Sequence, residues 1–221
     1  MSDTKKVTKA QVLEHIKRVG LVPVLRTATA DDAMVMAEAL QKAGVRTLEI
    51  PLTVPGAVEV IAELCRRYGD TVMVGAGTVL DAAAVGSILA AGARFVISPS
   101  LELPVVRACN EAAVAVMPGA LTPTEIVTAW RAGADMVKVF PCSAVGGASY
   151  IKAIKAPLPD IELCPTGGVS VDTAAAFLKA GASALGVGGD LVDIEALRGG
   201  RPQVIAERAL RYLEIVRQAR S

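Results

Sequence analysis

The sequence predicts an α/β fold, a closed (β/α)8 TIM barrel with an extra N-terminal helix, and three observations carry that prediction. The 221-residue chain is 52% hydrophobic but only 3% aromatic. Its apolar content is therefore mainly Ala, Val, Leu and Ile, which suits a large parallel sheet wrapped in small-residue helices. A helix ending in Ala-Gly and running into a strand recurs as KAGVRTLEIP (42–51), AAGARFVISP (90–99), RAGADMVKVFP (131–141) and KAGASALGVGG (179–189). Eight short apolar runs start near residues 21, 47, 72, 95, 113, 136, 162 and 184. Their spacing gives room for one strand, one short helix and two loops each time.

Each element follows in order. A polar amphipathic stretch over 8–19 reads as a helix ahead of the first strand, LVPVL (21–25). ADDAMVMAEALQKAG is a helix capped by Thr29 or Asp31 and stopped at Gly44. The second strand lies in TLEIPL and the third in VMVGAG (72–77), with VPGAVEVIAELCRRYG as the helix between them. AAAVGSILAAG leads to the fourth strand, FVIS, and AVAVMPG (113–119) is the fifth. TPTEIVTAWRAG precedes MVKVFP, ELCPTGG (162–168) is the seventh strand, and VDTAAAFLKAG precedes the eighth, ALGVGG. A long helix over 202–219 ends the chain. Gly44, Gly92, Gly133 and Gly181 stand where left-handed helix stops belong. An open doubly wound sheet is the alternative, but the first βα turn, LRTATADD, lacks the GxGxxG of dinucleotide binding. No linker or composition break appears, so residues 1–221 read as a single domain.

Composition also excludes function classes. Twenty-three Lys+Arg against 22 Asp+Glu leave a net charge of +1, so no global field favours nucleic acid or an anionic membrane. A mean hydropathy of +0.48 invites a membrane reading. Charge-free stretches such as Val139–Ile151 span only 13 residues, short of the ~20 a spanning helix needs. The polar, lysine-bearing N-terminus is not a secretory signal, so a cytoplasmic protein is expected. Cys65, Cys109, Cys142 and Cys164 are widely spaced and read as reduced buried thiols, with Cys142 close after the sixth strand. His15, the single histidine, reads as a surface residue of the leading helix. Histidine triads and histidine-rich metal sites are poor fits, so no metal is expected.

In such barrels the chemistry lies at the C-terminal ends of the strands. Glu49 in TLEIPL and Lys138 in MVKVFP are charges inside otherwise apolar strands. Alternation turns both inward if Leu48, Ile50, Val137 and Val139 face the helices. A buried structural ion pair is one reading, although such pairs are weak sources of stability. The functional reading is an amine nucleophile. An apolar cavity disfavours the ammonium form, the free amine attacks a ketone, and the imine withdraws electrons from the adjacent carbon. Glu49 would then move protons. PTGG (165–168) and GVGGD (186–190) end the last two strands, where backbone N–H groups can approach an anion, unless these glycines merely turn the chain. GAGT (75–78) is similar in kind and offers the Thr78 hydroxyl. Arg26, past the first strand, could clamp a carboxylate or phosphate or form a surface salt bridge. Thr166 shares a face with Cys164 and can point at substrate.

At these residues the chain resembles the 2-keto-3-deoxy-6-phosphogluconate (KDPG) / 2-keto-4-hydroxyglutarate aldolase family, which includes the 6-phosphogalactonate aldolases. LEIPLTVPGA, VGAGTVL, FVISPSL, MPGALTPTE, VKVFPCSAVGG, CPTGGV and LGVGGDLV match in order from about residue 21 to 192. The resemblance implies a class I, Schiff-base aldolase releasing pyruvate and glyceraldehyde 3-phosphate from a 6-phosphorylated 2-keto-3-deoxy sugar acid. Cleavage of 4-hydroxy-2-oxoglutarate to pyruvate and glyoxylate is implied too. Lys138 would be the imine lysine and Glu49 the proton shuttle. Arg26, Thr78, Thr166 and Pro99 would contact substrate, and Gly167, Gly168, Gly188 and Gly189 would cradle phosphate. The family needs no metal or cofactor and forms homotrimers. Two positions depart from its pattern: Thr53 stands where many members carry arginine, with Arg26 supplying one instead, and Gly189 stands where serine is frequent. A phosphosugar isomerase or epimerase barrel and a non-catalytic phosphate-binding barrel are the alternatives.

Overall fold

The computed structural model describes residues 7–220. Its strands are β1 (Leu21–Pro23), β2 (Thr47–Pro51), β3 (Met73–Gly77), β4 (Phe95–Ile97), β5 (Ala115–Met117), β6 (Gly119–Ala120), β7 (Val137–Val139), β8 (Leu163–Pro165) and β9 (Leu185–Val187). The helices are α1 (Lys9–Val19), α2 (Ala30–Lys42), α3 (Ala57–Tyr68), α4 (Val85–Ala90) and α5 (Leu103–Glu111). They continue as α6 (Pro123–Arg131), α7 (Ala148–Lys155), α8 (Val171–Lys179), α9 (Ile194–Arg198) and α10 (Pro202–Arg220).

All strand pairs are parallel, in the orders β1-β9, β2-β3-β4-β5 and β6-β7-β8. Bridges from Val24 to Glu49 and from Thr166 to Gly186 join β1 to β2 and β8 to β9. The remaining gap is between β5 and β6, which are consecutive in the chain. Here the structure corrects the sequence reading, because AVAVMPG is not one strand. Pro118 has no N–H to give the ladder and splits it, yet its carbonyl still accepts the Lys138 N–H at 2.9 Å. The ring therefore closes into the expected barrel.

Local chemistry sets the helix limits. Thr29, not Asp31, caps α2 by accepting the Asp32 N–H. Thr122 and Glu125 form a capping box on α6. The four glycine stops all have positive φ, from 93° to 99°. AAAVGSILAAG is less regular than expected: a 3-10 turn over Ala82–Ala84, capped by Asp81, precedes only six α-helical residues.

Alternation along the strands yields two cores. Leu48, Ile50, Val74, Val137 and Val139 pack outward against the helices. Met73, Phe95, Met117, Met136 and Cys164 fill the interior, closed below by Val12 and Ile16 of α1. The extra helix is thus the barrel's floor, and Lys9 pins it to Asp135 at 3.0 Å.

His15 is not a free surface residue. Its half-buried ring meets the Arg46 carbonyl through Nε2 at 2.8 Å. A carbonyl only accepts, so Nε2 carries the proton and Nδ1 accepts from Arg18 at 3.2 Å. Burial, and then the Arg18 and Arg46 charges, hold the ring below its usual 6.5. The neutral ring's contribution is therefore complete above that value and is lost as pH falls below it. We expect the difference in melting temperature between the wild type and His15→Gln to shrink as pH drops from 7.5 to 5.5. A constant difference would contradict this role.

Candidate active site

The interior above the hydrophobic floor holds two charges. Glu49 on β2 is 1% exposed and Lys138 on β7 is 4% exposed. Nζ of Lys138 lies 3.7 Å from Oε1 of Glu49, and 5.4 Å from the centre of the Phe140 ring. Oε1 makes no hydrogen bond within the protein. Two opposite charges sit close without hydrogen-bonding, an arrangement open to a third group.

Glycines supply the room. A Cβ on Gly77 would stand 2.0 Å from Oε1 of Glu49, and one on Gly186 would stand 2.1 Å from Oγ1 of Thr166. The Gly75 position is filled by the Phe95 ring, 2.2 Å from any added Cβ. GAGT was expected to resemble the phosphate turns, but its two glycines are β3 residues that clear space for Glu49 and Phe95. Thr78, the next residue, is half-buried with a φ of 55°. That conformation is unusual for a β-branched side chain and marks a constrained position at the strand's end.

Thr166 is buried and faces inward above Cys164. Pro99 is half-buried after β4, and its backbone packs on Gly119, the register partner of Lys138. Cys142 is buried in the outer core and directs its thiol to the Gly147 carbonyl. Cys164 is the register partner of Lys138 inside the barrel. Burial pushes its thiol up to about 12, with the Lys138 charge opposing and the Glu49 charge adding to that shift. Alternation, which puts Cys164 on the face of Thr166, extends in the same way from Lys138 to Phe140.

Beside the two charges, Arg26, Gly167, Gly168, Ser170, Gly188 and Gly189 line a cavity of about 580 Å³. Gly167 and Gly168 have consecutive positive φ values, 86° and 75°, and a Cβ on Gly168 would strike Ser143. Among the described residues, the N–H groups of Gly168, Gly189 and Asp190 donate to no partner. Unpaired amides from two loops lining one cavity are groups that can receive an anion. Arg26 is exposed at its edge, and no carboxylate pairs with it among the described residues. The salt-bridge reading of Arg26 is therefore not what the structure shows. Thr53 is exposed in the turn after β2.

A buried pair of opposite charges, an inward hydroxyl and unpaired amides at a neighbouring cavity are parts that an imine-forming enzyme of phosphorylated substrates would use. No helix among the described residues is long and apolar enough to cross a membrane. The family model "KDPG and KHG aldolase" matches residues 12–207. The 2-dehydro-3-deoxy-6-phosphogalactonate aldolase of Escherichia coli K12 is 35% identical, covering 91% of this chain and 97% of its own. The 2-dehydro-3-deoxy-phosphogluconate aldolase of Dickeya dadantii is 39% identical, covering 85% and 88%. In space, the KDPG aldolase of Legionella pneumophila, solved with pyruvate captured as a covalent carbinolamine, superposes with a TM-score of 0.83 at 29% identity, covering 93% of this chain and 98% of its own. The chain belongs to the KDPG and KHG aldolase family, and is a carbon–carbon lyase of the Schiff-base, class I kind.

Proposed function

We propose that this enzyme cleaves a 6-phosphorylated 2-keto-3-deoxy sugar acid to pyruvate and glyceraldehyde 3-phosphate, and 4-hydroxy-2-oxoglutarate to pyruvate and glyoxylate. It acts as a single-domain homotrimer in the cytoplasm, without metal or cofactor. The observation that carries this reading is the buried Lys138 amine 3.7 Å from the Glu49 carboxylate, beside a cavity edged with unpaired amides.

The roles follow from that placement. The Lys138 amine adds to the C2 carbonyl, and the carbinolamine loses water to give a protonated imine. Glu49 accepts the C4 hydroxyl proton as the C3–C4 bond breaks, and the bonding pair passes into the imine to give an enamine. Proton return to C3 and hydrolysis of the imine release pyruvate and regenerate the lysine. Thr78, Thr166 and Pro99 shape the pocket around the keto acid. Gly167, Gly168, Gly188 and Gly189, with Arg26, hold the phosphate. Coupled detection of pyruvate from each substrate tests the reading. Pyruvate release in step with substrate loss is expected, and rearrangement without pyruvate would replace it with an isomerase.

The Gly189 departure has a measurable consequence. A Cβ there would meet nothing within 4 Å, so serine fits and adds a donor beside the unpaired amides. Gly189→Ser should lower KM for the phosphorylated substrate by about 2- to 10-fold, the worth of one hydrogen bond, and leave 4-hydroxy-2-oxoglutarate unaffected. An unchanged or raised KM for the phosphorylated substrate would remove Gly189 from the seat.

A further inference from the structure

The unpaired amides of Gly189 and Asp190 sit in a loop after β9 that has little ladder of its own, so something else must fix its direction. Tyr212, on α10, is completely buried. Its hydroxyl donates to Oδ2 of Asp190 in a short hydrogen bond. The same oxygen accepts the Val171 N–H, the first of α8, at 3.3 Å. Arg208, one turn earlier on α10, donates to the Asp190 main-chain carbonyl at 2.9 Å. It also pairs with Asp193 at 3.2 Å, and Asp193 caps α9. Burial and the adjacent Asp190 carboxylate both raise Tyr212 well above the usual phenol range, so it is a donor throughout physiological pH.

This network has two consequences. Asp190 lines the cavity, and its Oδ2 is taken up by the Tyr212 hydroxyl and the first N–H of α8, which lessens its repulsion of a dianion. The main chain of residues 188–190 is clamped between α8 and α10, and Gly189 and Asp190, whose N–H groups have no partner among the described residues, line the same cavity as Gly167 and Gly168. Val171 belongs to the helix that follows the Gly167–Gly168 loop. A single carboxylate thus ties together the two loops of the anion seat.

We propose that Tyr212 and Arg208 are positioning residues for phosphate recognition: through Asp190 they set the spacing of the two amide-bearing loops, and so the enzyme's preference for phosphorylated over non-phosphorylated substrate. The proposal rests on the assignment of this cavity to the substrate phosphate. Neither residue touches the reacting carbons.

The test is steady-state kinetics of Tyr212→Phe on the phosphorylated sugar acid and on 4-hydroxy-2-oxoglutarate, with inorganic phosphate as a competitive inhibitor. KM for the phosphorylated substrate and the phosphate inhibition constant should both rise by about 10-fold, the cost of one hydrogen bond to a charged group. Turnover at saturation and KM for 4-hydroxy-2-oxoglutarate should hold within about twofold. Arg208→Gln, at a partly exposed guanidinium, should shift the same two constants and stands in if the buried Tyr212→Phe does not fold. An unchanged phosphate inhibition constant in both variants, or equal losses on both substrates, would overturn the proposal. A wild-type enzyme neither inhibited by phosphate nor favouring the phosphorylated substrate would instead overturn the assignment of the cavity, and the proposal with it.

Discussion

Replacing Lys138 with methionine is expected to lower kcat/KM for aldol cleavage by more than about 10,000-fold, because it removes the amine that would form the imine. The effect on stability separates chemistry from support. Lys138 and Glu49 are both almost wholly buried and 3.7 Å apart. Removing one partner strands the other charge in an apolar barrel, which typically costs about 3–5 kcal/mol. Replacing both with apolar residues removes that penalty. The double variant Lys138→Met/Glu49→Leu should therefore unfold at higher denaturant than Lys138→Met alone, and remain inactive. If the double variant were less stable than the wild type, the pair would be contributing net stability as a structural bridge, the other reading of these two charges.

Glu49→Gln should reduce kcat by about 100- to 10,000-fold, the usual worth of a positioned proton shuttle, while imine formation with pyruvate persists at a lower rate. The amide keeps the shape of the carboxylate but cannot accept the hydroxyl proton in the cleavage step. A second substitution reaches the same atom from a neighbouring strand. In Gly77→Ala the new methyl would lie 2.0 Å from Oε1, so the carboxylate must leave its place beside Lys138. Loss of turnover in Gly77→Ala with little loss of stability would show that position, and not only charge, matters at Glu49. Full activity in Glu49→Gln would remove Glu49 from the mechanism.

Much of this site was legible because a charge in an apolar strand has only two faces to choose between. Glu49 and Lys138 were assigned inward from their neighbours alone, and Leu48, Ile50, Val137 and Val139 do pack outward. The PTGG and GVGGD glycines were placed together for the same reason: strand ends in a closed barrel converge. What alternation does not carry is contact across strands. Nothing in GAGT says that Gly77 exists to clear Glu49, since that depends on the register of β2 against β3. Cys142 follows Lys138 closely in sequence, but the cysteine beside Lys138 in space is Cys164, through the pairing of β7 with β8. The split at Pro118 was visible as a proline in a strand run but was outweighed by the apolar pattern. His15 was read from its helix, and its partner Arg46 comes from a distant loop. The Tyr212–Asp190–Val171 network joins three elements, so no local pattern could have announced it.

The most direct test of the account is chemical trapping. The enzyme is incubated with pyruvate, reduced with borohydride, digested and analysed by mass spectrometry. One reduced pyruvyl adduct is expected, on Lys138, absent from Lys138→Met and dependent on pyruvate. An adduct on a different lysine, or none under conditions where the enzyme is active, would contradict it.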